Sequence, residues 1–285
     1  MIKRILVALD PDDDTPVATQ YAIQLARKFD ASLTGLAVVD TSNILTDIGT
    51  GGGVGAYYYS VDLWEELAEE TRQVAVELLE SFRQSCEKAG IRYRDIRKEG
   101  ASEERIIEEM KYHDLLVVGR DSHFFYNQPT RDTQTLARIV KNGVAPTLVV
   151  TDEYRNVEKI LIAFDGSSPA SRTLKGFVQL LPYGKDLDIE LVFVSESDEK
   201  EEVEKSSFIL HLAEEYLKSH NFHYIVKTVL ETGQPATRIL ERQKKSNPDL
   251  VLLGAHSVSA IRRIAFGSVT HELIAKTKGS LFLSP

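Results

Sequence analysis

The chain has 285 residues, 42% hydrophobic and 27% charged, which suits a globular protein of two domains better than one small core. Its net charge of −9 argues against a general nucleic-acid binder, which must concentrate positive charge along phosphate. Cys86 is the sole cysteine, so an intrachain disulfide and a cysteine-ligated zinc site are both excluded.

In chain order, "RILVALD" reads as a buried strand behind a start with neither a signal-peptide apolar core nor a cleavage site. No apolar run nears the ~18 residues of a membrane span, so no membrane partner and a cytoplasmic location are expected. The acids of "DPDDD" (Asp10–Asp14) are read as solvated turn residues, with Mg2+ binding the lesser alternative. A phospho-accepting receiver would need further Asp and Lys residues at other strand ends. Thr15 is the expected N-cap of a helix with Pro16 in its first turn, and Val17, Tyr21, Ala22, Leu25, Ala26 and Phe29 recur at helical spacing. "SLTGLAVVD" is the next strand. The glycine-rich stretch Gly49–Tyr59 lacks the Lys-Ser/Thr pair and the preceding strand of a P-loop, so it is expected to be a loop insertion. A long helix is expected from about Asp62 to Lys88, with Cys86 on the apolar face of Leu78 and Phe82 as a buried thiol. A strand near Arg92–Ile96, a helix near Glu103–Tyr112, the strand "DLLVVG", a helix near Thr133–Asn142 and the strand "PTLVV" complete the half.

The second half repeats this order. "IKRILVALD" matches "VEKILIAFD", "HDLLVVG" matches "PDLVLLG", and "APTLVV" matches "GSLFLS". Three matched segments in one order indicate duplication, with domains at 1–150 and 157–285 and the polar join "TDEYRN" between them. Here Ser168 and Pro169 are the expected cap and first turn. Continuous apolar strands separated by helices predict α/β architecture: two tandem open parallel five-stranded sheets with helices on both faces. Ligands in such sheets bind beyond the carboxyl ends of the strands, where the order reverses.

At that edge the second half should bring together Asp165, Val194 and Gly254. A strand-end carboxylate can accept from an exocyclic amine or a hydroxyl, though a turn or capping aspartate is an equal reading. Gly254 is expected to let the backbone turn tightly under a ligand, and Gly267 to remove a Cβ where a helix opens. Ser268, Val269 and Thr270 then offer N–H groups and hydroxyls at the positive end of that helix, which suits phosphate. Arg262 and Arg263 add positive charge, or form a solvated face. The histidines show no metal-ligand spacing such as HExxH, so no metal site is expected. No catalytic Ser–His–Asp motif occurs.

The spacing G-x-x-G-x9-G-[S/T] behind an apolar strand, in a domain whose first strand ends in Asp, resembles the universal stress protein family. Here it reads Gly254-x-x-Ser257-x9-Gly267-Ser268, and "TGQPATRIL" is similar to the family's turn before the following helix. The resemblance covers both halves and implies a Rossmann-like adenine-nucleotide fold with ATP as the ligand, Mg2+ being left open. It implies that Asp165 and Val194, flanked by Ala163 and Phe164, hold the adenosine. Leu253, Gly254, His256, Ser257, Gly267, Ser268, Val269 and Thr270 would form the phosphate side. Ser257 departs from the family's glycine, at a cost of ~1 kcal/mol if that residue needs a positive φ.

At the matching spacing the first half reads Gly119-x-x-Ser122-x9-Asp132-Thr133. A carboxylate ~4 Å from a phosphate charge repels it by roughly 4 kcal/mol at an effective dielectric near 20. One charge-assisted hydrogen bond returns only about 1.5–3 kcal/mol. The first copy is therefore read as degenerate. The expected function is an ATP-binding stress-response regulator that signals nucleotide state to partners. A slow ATPase and a scaffold that binds no nucleotide are the alternatives. The resemblance also implies pairing of the two halves through "PTLVV" and "SLFLS", with a homodimer left open.

Overall fold

The computed structural model describes residues 1–40, 54–124, 126, 133–222, 225–255 and 268–285. The first half runs β1 (Arg4–Leu9), α1 (Thr15–Phe29), β2 (Ser32–Val39), α2 (Val54–Ala89), β3 (Tyr93–Glu99), α3 (Ser102–Met110), β4 (Leu115–Gly119), α4 (Thr133–Asn142) and β5 (Thr147–Val150). The second runs β6 (Lys159–Ala163), α5 (Ser168–Leu180), β7 (Asp188–Ser195), α6 (Lys200–Ser219), β8 (Ile225–Thr232), α7 (Pro235–Ser246), β9 (Leu250–Gly254), α8 (Ser268–Lys276) and β10 (Ser280–Ser284).

The strands form one sheet in the order β3-β2-β1-β4-β5-β10-β9-β6-β7-β8. Pairing is parallel within each half, and β5 meets β10 antiparallel, with Leu148 opposite Phe282. Each half thus keeps five parallel strands, and their two open edges cover one another. Arg120 Nη1 donates to Thr277 O at 2.6 Å across this seam.

The two-residue period of the strands supplies a core on each face. Ile5, Val7 and Leu9 point with α1 and α2 to one side, while Leu6 and Ala8 point with α3 and α4 to the other. In the second half, Leu174 and Phe177 of α5 join the first core, and Leu273 and Ile274 of α8 the second. Cys86 is fully buried beside Phe82 on α2.

Three local expectations need correction. The N-caps are Asp14 and Ser167, one residue before Thr15 and Ser168. Ser167 Oγ accepts from Ala170 N at 3.3 Å, because the proline occupies the second helical position and leaves the cap two residues ahead of it. Helix α2 begins at Val54 rather than Asp62, so the end of the glycine-rich stretch is already helical. Gly49–Gly53 lie outside the described residues. The acids after β1 are not all solvated, because Asp10 and Asp14 are buried.

Candidate functional site

In the second half, β7 lies on one side of β6 and β9 on the other, so the chain leaves β6 in opposite directions around a crevice at the strand ends. A cavity of about 630 Å³ occupies this crevice, within the size range of small-ligand sites. Ala163, Phe164 and Asp165 reach it from the end of β6, Val194 from β7, Leu253 and Gly254 from β9, and Thr270 from α8. Seven of the predicted site residues therefore share one wall system. Ser268 and Val269 open α8, while His256, Ser257 and Gly267 lie outside the described residues.

Local bonding refines the roles of three of them. Asp165 Oδ1 accepts from Ser167 N at 2.9 Å, closing a turn over Gly166 at φ +75°. Its side chain thus serves the turn and the cavity wall together. Gly254 has no positive φ; instead, a Cβ there would lie 2.6 Å from the backbone nitrogen of Ala170. The glycine is needed for the close approach of α5 to β9, not for a tight turn under a ligand. Thr270, 2% exposed, donates its hydroxyl to Gly254 O at 3.1 Å, so that proton ties α8 to β9. The missing glycine Cβ and the Thr270 bond hold two helix N-termini against one strand end. Asp165, Glu196 and Glu202 give the cavity an acidic rim.

The same place in the first half is filled by the chain's own residues. Tyr126 donates its phenol to Leu9 O at 3.0 Å and accepts from Val38 N at 3.2 Å, bridging the splayed ends of β1 and β2. Burial and the nearby Asp10 push that phenol well above its ordinary pKa, so it stays a neutral donor. Phe124 is 1% exposed and adopts φ +62°, a costly backbone for an aromatic residue. It is held there by Asp10 Oδ2, which accepts from Phe124 N, and by Ser102 Oγ, which donates to Phe124 O at 3.2 Å. Asp14 Oδ2 accepts from Asp121 N at 2.7 Å, and its carboxylate occupies the space that a Cβ on Gly119 would need. Burial pushes the Asp14 carboxyl up to about 6.

His123, Phe124 and Tyr126 were not singled out in the sequence. The available signal was "HFFY" in the first loop, where the second loop has "VSAI" at the corresponding positions. Asp132 lies outside the described residues. Among the described residues no helix is long and apolar enough to cross a membrane.

The Universal stress protein family model matches the chain twice, over residues 1–151 and 156–283. A universal stress protein of Synechocystis is 25% identical over 285 residues, covering 97% of each chain. A universal stress protein of Methanocaldococcus jannaschii is 26% identical over 152 residues, 53% of this chain and 82% of its own. Among solved structures, a universal stress protein from Archaeoglobus fulgidus aligns with a TM-score of 0.70 at 18% identity, covering 99% of this chain and 95% of its own.

Proposed function

Because the chain belongs to the universal stress protein family, we propose that its second half binds ATP as a conformational signal read by partner proteins. The observation that carries this reading is the contrast between the two strand ends. In the first half, Tyr126 meets one backbone acceptor, Leu9 O, and one backbone donor, Val38 N. The repeated strand register makes Phe164 O and Val194 N the corresponding pair, on the wall of the 630 Å³ cavity. An adenine edge offers the complementary groups, an amino donor beside a ring-nitrogen acceptor. Asp165 would accept from a ribose hydroxyl, and the opening N–H groups of α8 would meet phosphate. The acidic rim favours entry of the nucleotide with Mg2+, which offsets repulsion between Glu196, Glu202 and the phosphates.

In this reading the two halves, 1–150 and 157–285, act as one unit through β5 and β10, in the cytoplasm. Denaturing freshly purified protein and chromatographing the released small molecules tests the proposal. About one ATP per chain, intact after hours at 25 °C, is the expected result. Steady release of ADP would replace the signalling role with a slow ATPase. No retained nucleotide and no heat on titration with ATP would leave a scaffold.

A further inference from the structure

Asp10, Asp12 and His123 form a second cluster, on the half to which no nucleotide is assigned. Asp10 directly follows β1, Asp12 lies in the turn before α1, and His123 follows β4, more than a hundred positions away. His123 Nδ1 lies 3.1 Å from Asp12 Oδ2 and 3.5 Å from Asp10 Oδ1. The three ligand-capable atoms all fall within 4.8 Å of one another, the one such group among the described residues.

Two independent features distinguish this group from an ordinary acidic turn. The first is an orphaned atom. Asp10 is fully buried; its Oδ2 accepts from His123 N and Phe124 N, while its Oδ1 has no hydrogen-bond partner. A buried carboxylate oxygen without a donor is costly, and it calls for a ligand. The second is spacing. Two ligands bound at ~2.1 Å to one ion stand ~3.0–3.4 Å apart at octahedral or tetrahedral angles, close to the 3.1 and 3.5 Å that separate His123 Nδ1 from the two carboxylates. The donor set also selects the ion. Imidazole nitrogen disfavours Ca2+ and Mg2+, which prefer all-oxygen shells, and two carboxylates without thiolate disfavour Cu+.

We infer that Asp10 Oδ1, Asp12 Oδ2 and His123 Nδ1 bind one first-row divalent transition ion of the Zn2+ class. The ion takes the Nδ1 lone pair of the neutral imidazole, whose single ring proton then sits on Nε2. The Asp12 side chain is 30% exposed, so water can complete the coordination from that side. Bound there, the ion fastens the segment carrying Phe124 and Tyr126 over the end of β1. The first half thus holds a metal at the position where the second holds a nucleotide cavity.

The test uses the full chain, stripped with EDTA and free of nucleotide, titrated with Zn2+ and then assayed for metal after dialysis. About one Zn2+ per chain should remain. Asp12→Asn and His123→Gln should each weaken binding by at least about tenfold. Co2+ should give a visible ligand-field band in the unsubstituted chain that both variants lose. Mg2+ at equal concentration should not displace Zn2+. Equal Zn2+ retention in the chain and both variants would overturn the site, and displacement by Mg2+ would overturn the ion class. If His123→Gln fails to fold, Asp12→Asn carries the test, because its side chain is partly exposed and the imidazole remains.

Discussion

The two halves solve the same edge in opposite ways. In both, a glycine ends the fourth strand so that the first helix can crowd against it. At Gly254 the crowding group is the α5 backbone, and a cavity remains beside it. At Gly119 the crowding group is the Asp14 side chain, which the first half's longer turn after β1 swings under the strand. Tyr126 then closes the gap between β1 and β2. Duplication therefore preserved the scaffold, while in one copy the chain's own side chains occupy the strand ends where the other leaves a cavity. A backbone donor–acceptor pair at a strand end must be satisfied by something. The two copies differ in what satisfies it.

The largest test of this contrast is to write the first-half residue into the second. Gly267→Asp places a carboxylate at the start of α8, where Asp132 stands before α4 in the other copy. The acid suits a helix N-terminus, so the fold should survive. ATP affinity should fall by about 100-fold or more, as roughly 3–4 kcal/mol is at stake. Adenosine, without phosphates, should lose far less, while Asp165→Ala should weaken both. Normal ATP titration by folded Gly267→Asp would move the phosphates away from α8.

Next in size are the two strand-end glycines. Gly254→Ala drives a Cβ into the backbone of Ala170, and the expected cost is about 3 kcal/mol. For Gly119→Ala the three nearest atoms all belong to the Asp14 carboxylate, a side chain that can give, and the expected cost is about 1–2 kcal/mol. An Asp14→Ala background should relieve most of the Gly119→Ala penalty, because the obstructing atoms are gone. Urea melts of the four proteins measure this coupling. Additivity would show that Asp14 does not fill the space beside Gly119.

Smaller again is Tyr126→Phe. It keeps the ring and leaves Leu9 O and Val38 N without their partner, at a cost of about 1–2 kcal/mol. ATP stoichiometry should stay at one per chain. A second equivalent of ATP appearing in this variant would mean that the phenol alone keeps the first half closed.

Much of the frame was legible because it depends on period and repetition. β4, α4 and β5 fall where the apolar runs and the helical stripe predicted them, since a fully buried strand cannot hide polar residues. The cavity was legible through Asp165, Val194 and Gly254, each at the end of a recognisable strand. The first-half closure was not. Asp10 and Asp14 sit in a run of acids whose composition signals solvent, and only the return of the chain after β4 supplies the N–H groups that bury them. Likewise His123 reaches Asp12 across more than a hundred positions, a distance at which no local spacing rule operates. Helix α2 begins at Val54, ahead of Asp62, because the run "AYYYSVDLW" that follows the glycines is compatible with a helix.

The smallest expected effect asks whether the halves feel one another. Cys86 is the only thiol, is fully buried, and lies on α2, which packs over β2 and β3 at the sheet edge remote from the second half. Burial pushes its pKa up to about 12, so at pH 8 it should react with a disulfide reagent only after α2 opens. If that opening is local, ATP bound beyond the β5–β10 seam is still bound in the open state and cannot oppose it. If the whole sheet opens together, ATP at 100 times its Kd should slow labelling by about 100-fold. The position of α2 at the outer edge predicts the first case, a change of less than about twofold. A slowdown of tenfold or more would show that the antiparallel β5–β10 pair makes ten strands a single cooperative unit, and would give nucleotide in one half a direct hold on the other.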